Sequence, residues 1–105
     1  MIRINVTKKS GSYVDFESAG HAGAGEEGHD IVCAAVSALI INAVNSIERF
    51  TDDAFTEESK DGYVRIRFDG PNSPGARLLM DSLVFGLEQI REDCRDYLKV
   101  HVREV

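Results

Sequence analysis

Residues 2–17 read IRINVTKKSGSYVDFE, and their alternation decides the fold. Ile2, Ile4 and Val6 alternate with Arg3, Asn5 and Thr7; after the turn Lys9-Ser10-Gly11, Val14 and Phe16 resume the pattern between Tyr13, Asp15 and Glu17. A two-residue period sends successive side chains to opposite faces of a strand, so this segment predicts a hairpin with one buried face. Something downstream must cover that face. Asp30 offers a helix N-cap, and Val32, Val36, Leu39, Ile40, Ala43 and Ile47 recur near the 3.6-residue period, which predicts a first helix to about Phe50. Ser73-Pro74 offers a second cap with proline at the first helical position, followed by the stripe Leu79, Leu83, Leu87, Ile90 and Cys94. Between the helices, residues 54–58 and 63–68 read as a second hairpin joined through Lys60-Asp61-Gly62, with Val64, Ile66 and Phe68 on one face. Leu98, Val100 and Val102 alternate with Lys99, His101 and Arg103 as a last strand. The expected class is α+β, in the order ββαββαβ, with two helices packed on one face of a mixed five-stranded sheet.

The 105 residues suit a single domain, 1–105, without linker, repeat or low-complexity tract. A 43% apolar content with two prolines excludes disordered and collagen-like classes. The uncharged run Ile31 to Ile47 contains Ser37, Asn42, Asn45 and Ser46 and falls short of the roughly 20 apolar residues of a bilayer span, so no membrane association is expected. Residues 1–6 show no basic-then-apolar leader, which leads us to expect a cytoplasmic protein in which Cys33 and Cys94 stay reduced. With 12 Lys and Arg against 18 Asp and Glu the charge is -6, which argues against direct nucleic-acid binding and suits a basic protein or peptide as partner. The first helix is apolar on nearly every side, including Ile31, Ala38, Ile41 and Val44. Either the sheet and second helix enclose it, or another subunit covers part of it.

Unusual residue types converge in residues 20–37, GHAGAGEEGHDIVCAAVS. Four of the eleven residues from Gly20 to Asp30 are glycine, a composition that stiff secondary structure does not tolerate, so this is read as a loop entering the helix. Cys33 follows the cap by three residues. There the open N–H groups and the positive end of the helix dipole favour a thiolate. His21 lies at the start of the loop, whose glycines allow its imidazole to fold back towards the sulfur. A cysteine with a nearby histidine is a nucleophile with its general acid and base, although each residue taken singly has an ordinary reading as small core residue or surface imidazole.

The whole string resembles the ribosomal-processing cysteine proteases, also known as YsxB-like proteins. Their pattern is Gly-His-Ala, five variable residues, Gly, one residue, Asp-Ile-Val-Cys-Ala, and a Ser four positions after the Cys. Gly20-His21-Ala22, Gly28, Asp30-Ile31-Val32-Cys33-Ala34 and Ser37 fill it without a gap. The resemblance implies a homodimeric endopeptidase with His21 and Cys33 as the catalytic pair. It further implies removal of a short N-terminal extension from ribosomal protein L twenty-seven of the large subunit, in support of ribosome assembly.

Two supporting residues keep alternative readings. Asp30 either caps the helix or orients His21 as a third member of the site. Ser37, one turn after Cys33, either bonds back to the Cys33 carbonyl or donates to tune the sulfur. Gly20, Ala22, Gly23, Gly25 and Gly28 form a candidate substrate loop that closes over a bound peptide. Gly23 to Gly28 also matches G-x-G-x-x-G, but Glu26 and Glu27 would face a pyrophosphate, and the preceding elements form a hairpin instead of a βαβ unit. His21, Glu26, His29 and Cys33 lack recognised metal-ligand spacing, so no metal or other cofactor is expected. The competing class is a noncatalytic acidic module that binds ribosomal or other basic proteins.

Overall fold

Ile2, Ile4 and Val6 are buried on one side of the first strand while Arg3 and Asn5 are exposed on the other, so the alternation becomes a face. The computed structural model describes residues 1–21 and 29–105, the side chains of residues 29 and 30 excepted. Its elements are β1 (Ile2–Lys9), β2 (Ser12–Ala19), α1 (His29–Phe50), β3 (Phe55–Lys60), β4 (Tyr63–Phe68), α2 (Pro74–Asp93) and β5 (Leu98–Glu104). The strands form a five-stranded sheet in the order β3-β4-β2-β1-β5. β5 runs parallel to β1, and the other neighbours are antiparallel. Each helix connects two strands of the same direction, β2 to β3 and β4 to β5, a connection that no tight turn can make.

Both helices bury their inner faces on the same side of the sheet. Val36, Ile40, Val44 and Ile47 of α1, with Met80, Leu83 and Leu87 of α2, meet Ile4, Val6, Phe16, Ile66 and Leu98 in one core. Ser73 caps α2 as its position predicts, its hydroxyl accepting from the Ala76 N–H at 3.1 Å ahead of Pro74. The other face of the sheet is polar, and on it Arg65 makes a two-toothed contact with Asp15, at 2.7 Å for Nη2 to Oδ2.

Three expectations shift. Strict alternation buries Val14, but the β1–β2 register slips between Thr7 and Lys8, where Thr7 faces Asp15 and Lys8 faces Tyr13. Val14 is the extra residue of this bulge and is 39% exposed, while Tyr13 is 3% exposed. The Tyr13 hydroxyl donates to Asp81 on α2, and its backbone is bracketed by the Asn72 side chain. Burial first, then the Asp81 carboxylate, push the Tyr13 phenol above its ordinary pKa. Next, α1 begins at His29, which places Asp30 as its second residue instead of its flanking cap. Lastly, the helical stretch Ile31–Phe50 is long and apolar enough to cross a bilayer by length and composition, because the helix continues through Glu48 and Arg49 beyond the uncharged run. Its inner face nevertheless packs on the sheet. The described residues do not enclose α1: Ile31 and Ile41 are 75% and 58% exposed, and Leu78 and Phe85 stand exposed on α2.

Candidate active site

The chain leaves β2 through Gly20, whose φ of +103° and tight approach to the Met1 carbonyl leave no space for a side chain. Its N–H donates to the Gly62 carbonyl at 2.9 Å, and the Met1 nitrogen donates to the His21 carbonyl at 2.6 Å. The backbone of His21 is thereby held against β1 on one side and the β3–β4 turn on the other. The His21 Nε2 lies 3.9 Å from Asp61 Oδ2, with the two side chains 60% and 99% exposed. Such an open pair is screened by water and weak.

Cys33 stands on α1, half-buried and packed against the core, and neither it nor Cys94 is in a disulfide. Because the helix starts at His29, Cys33 is its fifth residue and opens the second turn. A cleft of about 380 Å³ runs between α1 and the β3–β4 hairpin. His21, Cys33, Ser37 and Gly20 all line it. Its apolar wall is Ile2, Val36, Ile40, Ile41 and Val64, and its polar rim is Glu57, Ser59, Lys60 and Asp61. β3 is an edge strand, and α1 leaves Glu57 and Ser59 exposed there, which opens the cleft along the sheet edge.

The residues singled out in the sequence thus divide. His21, Cys33, Ser37 and Gly20 come together in one cleft. Ala22, Gly23, Gly25 and Gly28 lie outside the described residues, as do Glu26, Glu27 and the side chains of His29 and Asp30, so the loop closure, the glycine motif and the Asp30 alternatives fall there. Among the described residues no group of three His, Cys, Asp or Glu is placed to hold a metal. Asp61, Gly62, Glu57 and Ser59 are cleft residues that the sequence did not reveal. Asp61-Gly62 read only as a turn; what joins it to His21 is the β2–β4 pairing, which sets Ala19 opposite Tyr63.

A thiol and an imidazole lining one cleft with an apolar wall are the components of nucleophilic acyl transfer. The family profile of cysteine protease Prp matches residues 1–99. The ribosomal processing cysteine protease Prp of Staphylococcus aureus is 30% identical over 106 residues, spanning 98% of this chain and 100% of that protein. Its counterpart in Bacillus subtilis is 34% identical over 93 residues, spanning 83% of each chain. The crystal structure of the essential S. aureus protease with a covalently linked product peptide superposes with a TM-score of 0.90 at 31% identity, covering 98% of this chain and 100% of that one. The match extends from the first strand into the last, takes in both walls of the cleft, and places this chain in the cysteine protease Prp family.

Proposed function

We propose that this chain is a cytoplasmic cysteine endopeptidase that uses Cys33 as nucleophile and His21 as general acid and base to remove the N-terminal extension of ribosomal protein L twenty-seven. The observation that carries the reading is the cleft that His21 and Cys33 share, open to solvent and walled by apolar side chains. The Cys33 thiolate attacks the scissile carbonyl carbon and the carbon–oxygen π pair moves onto oxygen, where backbone N–H groups at the start of α1 are the candidate donors. Collapse breaks the carbon–nitrogen bond and leaves a thioester, while protonated His21 gives its proton to the departing amine. Water then attacks the thioester, His21 takes the water's proton, and the carboxylate product leaves as the thiol is restored. Ser37, one turn beyond Cys33 in the same cleft, is assigned the tuning of the sulfur. The glycine loop keeps the role set out from the sequence, and Asp30, which lies inside the helix and not at its flanking cap, keeps that of orienting His21. The product peptide linked to the S. aureus protease supports a covalent enzyme intermediate of this class.

The test is incubation of purified protein with a peptide spanning the extension of the host's own ribosomal protein, followed by mass spectrometry. Cleavage at one internal bond is expected, with Cys33 alkylated by iodoacetamide much faster than Cys94 near neutral pH. A noncatalytic binding module gives neither result.

The working form is assigned as a homodimer. Ile31 on α1, with Leu78 and Phe85 on α2, leaves apolar area on the helical layer that the described residues do not cover. Sedimentation at micromolar concentration should give the mass of two chains, and Phe85→Glu should shift the distribution towards one; a monomer in the unaltered protein counts against the dimer.

A further inference from the structure

Gly62, in the turn between β3 and β4, has φ +70°. A Cβ added there would lie 2.5 Å from Nε2, 2.9 Å from Cε1 and 3.1 Å from Cδ2 of His21. The nearest atom is the ring's Nε2 corner and the next two flank it, so the imidazole occupies the space that any other residue's side chain would need. The carbonyl of Gly62 also accepts the Gly20 N–H at 2.9 Å, which fixes the backbone leading into His21. One residue therefore touches both the ring and the chain that carries it. We infer that Gly62 is the positioning residue for His21: its absent side chain is the seat of the imidazole and sets where the ring stands in the cleft with Cys33. This rests on the catalytic reading of His21 given above.

A hairpin glycine with positive φ has an ordinary explanation, which is that the turn requires that backbone conformation. The two demands separate experimentally. Asparagine adopts the left-handed region more readily than other side-chain-bearing residues, yet it carries a Cβ. Gly62→Asn therefore relieves most of the turn strain and keeps the collision with the ring. Because His21 is largely exposed, the ring can swing aside at little cost to folding, but it then leaves its place in the cleft that Cys33 also lines.

Gly62→Asn and Gly62→Ala are compared with wild type for thermal midpoint, peptide turnover and the His21 ring C–H resonances. The expected result is a near-native midpoint for Gly62→Asn, shifted ring resonances in both, and kcat lower by about 10²-fold with KM little changed, as for a misplaced catalytic group. Native kcat in Gly62→Asn beside impaired Gly62→Ala would assign the glycine to the turn and overturn the inference, as would unmoved ring resonances. His21→Ala is measured alongside. If it and Gly62→Asn both turn over normally while the ring has moved in Gly62→Asn, the seat stands and the catalytic reading of His21 falls.

Discussion

Cys33→Ala is expected to lower peptide turnover by roughly 10⁴-fold or more while leaving the fold in place, since nucleophile and base act as a unit and removing the nucleophile leaves only binding and oxyanion contacts. His21→Ala should cost about 10²- to 10⁴-fold, the usual range for a general acid and base. Neither residue belongs to the fully buried core: Cys33 is half-buried at the cleft wall and the imidazole is mostly in water. Cys94 supplies the contrast. It is the C-cap residue of α2, its N–H donating to the Ile90 carbonyl at 2.9 Å and its own carbonyl accepting from Tyr97 and Leu98. Cys94→Ala should retain full activity and lose about 1 kcal/mol, a small truncation at the edge of the core. Turnover and urea midpoints for the three variants check this together. Normal turnover by Cys33→Ala would end the assignment of the nucleophile, whatever the stabilities.

Strands and helices were legible because their periods are local: Val64, Ile66 and Phe68 alternate, Leu83 and Leu87 stand one turn apart, and Ser73-Pro74 marks a helix start within two residues. The cleft was legible on the side where its chemistry is contiguous, His21 and Cys33 lying on the two sides of one connection. Its opposite wall was not. Glu57, Ser59, Asp61 and Gly62 reach the cleft only because α1 carries the chain past β4 and leaves β3 at the sheet edge, and strand order depends on long-range packing that no residue spacing encodes. The first turn of α1 begins earlier than its cap signal indicates for a local reason: Asp30 is a good cap by residue type, but residue type fixes a helix end only to within a residue or two.

Phe16→Ala is expected to be among the most destabilising single truncations, costing about 3 to 5 kcal/mol. Phe16 is 0% exposed and, in a central strand, pairs with Val6 of β1 and Ile66 of β4 beneath both helices. Removing its ring leaves a void that a sheet hydrogen-bonded on both sides cannot collapse to fill, so cavity and transfer costs add. In a domain whose whole stability is about 5 to 15 kcal/mol, this lowers the melting midpoint by roughly 15 °C or more. Val14→Ala, two residues earlier, is the control. Alternation alone makes Val14 and Phe16 equals on one buried face, whereas the bulge turns Val14 outwards, so its truncation should stay within about 0.5 kcal/mol of wild type. Equal losses at the two positions would mean that β2 runs without the bulge, with Tyr13 off the core and its hydroxyl away from Asp81. Activity adds a second reading, because β2 ends at the residues that carry the imidazole. At a temperature where Phe16→Ala is still folded, kcat per folded molecule should stay near wild type, since His21 is held locally by the Gly20–Gly62 hydrogen bond and the turn beyond it. A fall in kcat parallel to the loss of stability would instead couple the cleft to the core through β2.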